Sequence, residues 1–304
     1  MSLLNLANDG THSVLVAIFR LLLAEKPMER ERVLSLCAPA NFADPKHTRA
    51  TLNTWVELGL FAKSEEDKIS IHPQIELKER REESLPRLAR SRVLAEENNE
   101  RFWEAEKSRS ADFTRAITWL LAQDVYEAEY STWETVQPAI QSQAPESEVF
   151  GKNNTRWNGL KAWAPFLGFC WNGKHPTNAK TNILMIDPTD SLYDVLPKLF
   201  QGNSTLSADE FLSSLVDELP VLDGGRYRLK VEERLREREG AAAWVPPPAG
   251  QLSTSLSRAL LRLLSDGVLK GKKQADAPGR ARLTGRNRAV LAEYSHFSFN
   301  LAGR

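Results

Sequence analysis

One arrangement occurs three times in this chain and narrows its fold more than anything else in the sequence. Each copy is a run with helical apolar spacing that stops at a glycine. An apolar pair, a polar turn and a strand-like run follow. The copies are Thr51–Phe61 with Lys68–His72, Asn158–Trp171 with Asn182–Ile186, and Leu256–Leu269 with Arg280–Thr284. Glycine takes the left-handed conformation that ends a helix without steric cost, so each copy reads as a helix running into a β-hairpin. The landmark glycines Gly59, Gly168 and Gly267 lie roughly a hundred residues apart, which is the spacing of domains and not of a solenoid.

The length of 304 residues suits two or three such domains. The apolar content of 41% and charged content of 26% are those of an ordinary globular chain. Forty basic residues balance forty acidic ones, so any footprint for a polyanion has to be local. Cys37 and Cys170 stand far apart in apolar contexts. They point to buried thiols in a reducing compartment, and a cytoplasmic location is expected. The apolar stretch Val14–Ala24 contains Arg20 and is too short to span a bilayer. It also lacks the flanks of a signal peptide, and no membrane partner is expected.

The expected fold class is mainly α with small β-hairpins (α+β), as two or three modules joined by charged helices. A first module covers residues 1–75: helices at His12–Glu25 and Glu29–Leu36, then a third that Asp44 caps, with Pro45 at its first position. Residues 76–111 read as a charged helical linker that Pro86 breaks or kinks. A middle module covers 112–206, as another hairpin-bearing module or a plain helical domain, with Pro165 shortening or bending its third helix. A C-terminal module covers 207–304. It opens on a capping-box pattern, Ser207 with Glu210. Tyr227 and Leu229 alternate like a short strand, Val231–Glu239 reads as a charged helix, and Ser253 or Thr254 starts the helix that Gly267 ends. Arg286–Tyr294 reads as a last helix packing Val290 and Leu291.

The three helix–glycine–hairpin patterns resemble the winged helix-turn-helix superfamily. That resemblance implies modules of a nucleic-acid-binding type, which serve equally as protein-docking modules. Charge concentrates in the third copy. From Arg258 to Arg288 there are nine basic residues (Arg258, Arg262, Lys270, Lys272, Lys273, Arg280, Arg282, Arg286, Arg288) against Asp266 and Asp276, a local excess of seven. Such cations on a hairpin could straddle a phosphate strand without being buried. A solvated basic surface, or a dock for an acidic patch, is the alternative. In the first module, Lys46, His47, Arg49 and Asn53 stand at the start of the third helix, where a groove-reading helix carries its contacts. Arg49 has the chemistry to read guanine and Asn53 adenine; ordinary exposed helix residues would look the same. Lys152, Asn153, Asn154, Arg156 and Lys161 are placed similarly in the middle copy.

The signatures of catalysis are missing. There is no phosphate-binding G-x-x-x-x-G-K-[ST] loop, no G-x-G-x-x-G turn and no G-x-S-x-G elbow. The five histidines are scattered, and Cys170 with His175 lacks the second pair of ligands that a zinc site needs. Asp187 and Asp190 flank Pro188 in a segment that reads as a capped turn. No catalytic residue, metal or cofactor is expected.

The stretch Leu3–Pro39 (LLNLANDGTHSVLVAIFRLLLAEKPMERERVLSLCAP) also resembles the opening of DpdG proteins. These belong to bacterial gene clusters that install 7-deazaguanine bases in DNA and restrict unmodified DNA. The resemblance implies a phage-defence accessory protein that works with helicase-like or nuclease-like partners, and it transfers no catalytic residue. The combined expectation is a non-enzymatic subunit that binds double-stranded DNA through its C-terminal module. A protein–protein adaptor and a transcriptional regulator stand as alternatives.

Overall fold

The structure is a computed structural model. It describes residues 3–6, 12–25, 27–38, 45–104, 109–127, 130, 132–143, 154–175, 178–240, 243–277 and 279–300. The fold is α+β: helices hold about half of the described residues, and the strands form small antiparallel sheets of two or three. No helix among the described residues is long and apolar enough to cross a membrane. The chain divides into two compact units, residues 1–114 with 150–167, and residues 115–149 with 168–304.

The first unit opens with α1 (His12–Ala24), β1 (Met28–Glu29), α2 (Arg30–Cys37) and α3 (Lys46–Glu57), then β2 (Phe61–Lys63) and β3 (Lys68–Ile71). The strands pair in the order β1-β3-β2. Leu15, Ile18, Phe19 and Leu22 of α1 lie one helical turn apart and are buried, the stripe that an amphipathic helix turns to a core. Phe19 meets Phe61 of β2 with ring centroids 6.5 Å apart. Pro45 takes the cap position of α3 rather than its first helical position, so the helix starts one residue later than expected, and Asp44 lies outside the described residues. Gly59, at φ +79°, ends α3 as its sequence predicts.

The expected linker helix is one α-helix, α4 (Leu85–Leu94), flanked by short 3-10 turns. Pro86 breaks nothing, because it sits in the first turn of α4, where no backbone N–H is needed. The chain continues through α5 (Ala111–Ala122), α6 (Trp133–Gln143) and α7 (Asn154–Phe166). Pro138 and Pro165 lie inside α6 and α7. Trp163 of α7 packs on Trp55 of α3 at 5.4 Å, and both are fully buried.

The second unit contains a hairpin of β4 (Cys170–His175) and β5 (Asn178–Ile186). It continues with α8 (Thr189–Leu199), β6 (Thr205–Ser207), α9 (Ala208–Glu218), α10 (Arg226–Arg236), α11 (Thr254–Ser265), β7 (Leu269–Lys272), β8 (Ala281–Thr284), β9 (Val290–Tyr294) and β10 (His296–Phe299). Sheet order is β6-β10-β7, with β8-β9 as a separate hairpin. The order helix, strand, helix, helix, strand, strand found in α1 to β3 recurs here as α8, β6, α9, α11, β7 and β10. The last strand is central in both sheets. The second version carries two additions, α10 before its last helix and the β8–β9 hairpin inside the connection from β7 to β10. The Ser207–Glu210 capping box forms as the sequence predicts.

Three expectations fail in this unit. The hairpin expected after Gly267 does not form, because β7 pairs with β10 and β8 with β9, so Leu269–Lys272 and Ala281–Thr284 lie in different sheets. Tyr227 and Leu229 belong to α10, not to a strand. Tyr227, Val231 and Leu235 recur at every fourth position and are buried, while Glu232 pairs with Arg228 and Arg236 four residues to either side. Residues 286–294 are a short 3-10 turn followed by β9, not a helix. The register sets Arg282 opposite Glu293, a cross-strand pair of opposite charge, and leaves Val290 and Leu291 exposed rather than packed.

Arg228 organises the interior of this unit. Its side chain has no exposed area, which is affordable only with close partners. Nε donates to Glu232 at 2.7 Å, and Nη1 donates to the Leu121 carbonyl at 3.0 Å with Asp223 at 3.3 Å. Asp223 also accepts from the backbone N–H and the hydroxyl of Ser253, the residue that caps α11. Asp223→Ala therefore removes a counter-charge and a helix anchor together. We expect a loss of about 3 kcal/mol of unfolding free energy, read from urea titration. A loss no larger than that of a surface ion pair, roughly 1 kcal/mol or less, would contradict this account.

Candidate nucleic-acid interface

The basic segment of the second unit begins on α11. Its first turn faces inward. Thr254 Oγ1 accepts from Val125 N–H at 3.0 Å, and Ser255 Oγ donates to the Leu121 carbonyl at 2.6 Å. Ser257 Oγ accepts from Thr284 N–H at 2.9 Å. Thr254, Ser255, Leu256 and Ser257 are all buried. The helix start that would enter a DNA groove is thus packed against the chain itself.

The two arginines of α11 are drawn into the same packing. Arg258 lies over the Tyr126 ring at 4.8 Å and reaches the Ile186 carbonyl. Arg262 pairs with the buried Asp187, whose hydrogen bond raises the guanidinium's pKa. Asp187 also accepts from the Thr189 backbone N–H at 3.1 Å, so the segment around Pro188 is a capped turn.

Cations farther along are more open. Lys270 and Lys272 are exposed on β7, and Arg286 is exposed in the β8–β9 turn. Among the described residues these three have no acidic partner. Lys273, Arg280 and Arg282 share one carboxylate, Glu293, at 3.1, 3.4 and 2.7 Å. Lys273 and then Arg282 hold that carboxyl below its usual range. Arg288 donates to the carbonyls of Val245 and Pro246 at 2.8 and 2.7 Å. Glu293 lies just beyond the window in which the sequence shows its excess, and only the cross-strand register brings it in.

In the first unit, Lys46 and His47 are exposed at the start of α3 and Arg49 is half-buried. Asn53 Oδ1 accepts from Arg30 Nη2 at 2.9 Å, so part of the amide's hydrogen-bonding capacity is already used within the chain. The turn between β2 and β3 is acidic: Lys63 pairs with Asp67 and Lys68 with Glu66, each at 2.6 Å. In the middle copy, Arg156 is only 9% exposed, which argues against an open phosphate contact. Lys161 lies over the Trp157 ring. Lys152 and Asn153 fall outside the described residues.

A search for reactive chemistry returns little. Among the described residues no group of three or more His, Cys, Asp or Glu side chains could hold a metal ion. Cys170 is buried, and burial followed by the charge of Asp187 pushes its thiol up; burial likewise raises the half-buried Cys37.

Over residues 1–277 the sequence matches the profile of the DpdG-like family. The chain belongs to that family. The match ends before β8, and membership fits a role in a DNA-modification cluster. No curated protein matches the chain, and no solved structure matches it.

The cysteine environments carry a direct expectation, since thiolate is the reactive form. With an aromatic disulfide reagent at neutral pH, Cys170 of the native protein should stay unlabelled until denaturant unfolds the second unit. Rapid native labelling at Cys170 would show that its surroundings are open.

Proposed function

We propose that this protein is a non-enzymatic DNA-binding subunit of a bacterial DNA-modification or phage-defence system, built on two winged-helix modules. The first module is α1 to β3 and the second is α8 to β10. Family membership and the recurrence of one element order support this reading. The observation that carries it is the pair of exposed lysines on β7, Lys270 and Lys272, with Arg286 nearby in sequence and no acid paired to any of the three among the described residues. The buried start of α11 favours phosphate contact over base reading by the second module. In the first module, we assign the groove-facing role to Lys46, His47 and Arg49 in the first turn of α3.

Binding of this kind depends on salt, because each neutralised phosphate releases condensed counterions. A gel-shift titration of an arbitrary duplex over a range of salt should give a linear log–log decline. Lys270→Ala with Lys272→Ala should reduce its slope by about 2. Glu293→Gln should act in the opposite direction, tightening binding at low salt by freeing Lys273, Arg280 and Arg282. Absence of duplex binding by the wild type at low salt would remove the proposal.

A second reading is an adaptor that holds partner proteins such as a helicase or nuclease. The acidic turn between β2 and β3 favours it, since Glu65, Glu66 and Asp67 would repel phosphate. Stable co-purification with such a partner, together with weak binding to bare DNA, would support the adaptor over the DNA-binding subunit. A transcriptional regulator ranks behind both.

A further inference from the structure

The three-stranded sheet of the second unit has one apolar face and one polar face, and the polar face has an unusual composition. Strand register places Lys270 opposite Ser298, and Ser298 opposite Thr205. Two residues along, Lys272 is opposite His296, and His296 opposite Ser207. Residues in cross-strand register share a face. One side therefore presents two rows, Lys270–Ser298–Thr205 and Lys272–His296–Ser207, that contain no carboxylate and no large apolar side chain.

The opposite side is the packed one. Leu206, Leu269 and Phe297 are buried there. Phe297 meets Phe211 at 4.8 Å and Tyr294 at 5.7 Å, and Phe200 stacks on Phe299. The Tyr294 ring lies so close over Gly271 that even a Cβ would sit 2.2 Å from it. The sheet is thereby held against the helices by one face, and the polar face turns to solvent, with Lys270, Lys272 and Thr205 exposed.

We propose that this face is a phosphate track, on which one strand of duplex DNA lies along the β7 edge and the Lys270–Ser298–Thr205 row. The inference rests on the DNA-binding reading above and deepens it: contact extends past the basic connection onto β10 and β6. Same-face side chains on β7 stand about 6.7 Å apart and neighbouring strands about 4.8 Å apart. That grid lets each lysine meet a phosphate while hydroxyl donors reach its remaining oxygens, the usual division between charge and positioning contacts. The second row narrows the path. Ser207 Oγ is engaged with Glu210 in the capping box, and Asp209, Asp276 and His296 line a pocket of about 470 Å³ beyond it. Carboxylates at that end repel a phosphate strand, so the track favours the row ending at Thr205. Asn203 and Ser204, exposed and uncharged, continue the surface there.

The test uses the full chain and a fluorescein-labelled duplex in anisotropy titrations at several salt concentrations. Thr205→Val with Ser298→Ala removes two hydroxyls and no charge. It should weaken binding severalfold at every salt concentration and leave the salt slope unchanged. Thr205→Glu, on an exposed edge strand, should weaken binding at least tenfold at low salt, and thermal melts should confirm folding of both variants. If both variants bind as the wild type does while Lys270→Ala weakens binding, the track is wrong and the DNA-binding reading stands. If the wild type itself does not bind, that reading falls and the track with it. Equal competition by polyglutamate at matched charge would also overturn the phosphate assignment, in favour of an acidic protein partner.

Discussion

Neutralising one buried guanidinium sets much of the second unit in place. Arg228 is enclosed, so Glu232, Asp223 and the Leu121 carbonyl must converge on it. Asp223 answers to two demands, because it also holds the capping residue of α11. The start of that helix is thereby tied to the end of α5 and to the turn before α10. A helix anchored at its first turn by its own chain keeps little surface there for a ligand. Any function of this module then falls to its sheet and its connections.

The local features of the fold are legible in the sequence wherever a short-range rule governs them. Ser207 and Glu210 form the capping box that their spacing implies, and Ser253 caps α11. Gly59, Gly168 and Gly267 adopt the positive φ that their helix ends require. Tyr227 and Leu229 mislead because two apolar residues two apart look like the alternation of a strand; on α10 they point to opposite sides, Tyr227 buried and Leu229 exposed, and the charge pairs around Glu232 mark the helix. The segment 286–294 misleads for the opposite reason. Its strand is fixed by pairing with β8, a contact that no window on residues 286–294 alone contains.

Charge at the candidate site divides in the same way. The excess from Arg258 to Arg288 is plain in the sequence, but its availability is not. Asp187 engages Arg262, and Glu293 gathers Lys273, Arg280 and Arg282. Those acids are distant in sequence or just outside the basic window, so a running count overstates the free charge. The alternation His296-Phe297-Ser298-Phe299 is the one sequence signal that marks β10 as two-faced. Its meaning depends on which strands lie beside it, and that is a property of topology.

The central place of β10 bears on how the second unit comes together. Its neighbours are β6 and β7, so the sheet joins His296–Phe299 to Thr205–Ser207 across most of the unit's sequence. Contacts of such long sequence separation form slowly, since a large loop has to close before any pairing gain is realised. During synthesis, β6 and β7 would leave the ribosome before the strand that lies between them. In that interval they present two unpaired edges and the apolar side chains of Leu206 and Leu269. The early-translated part of this unit is therefore the stage at which misassociation is the greatest hazard, and the last strand to arrive is the one that ends it.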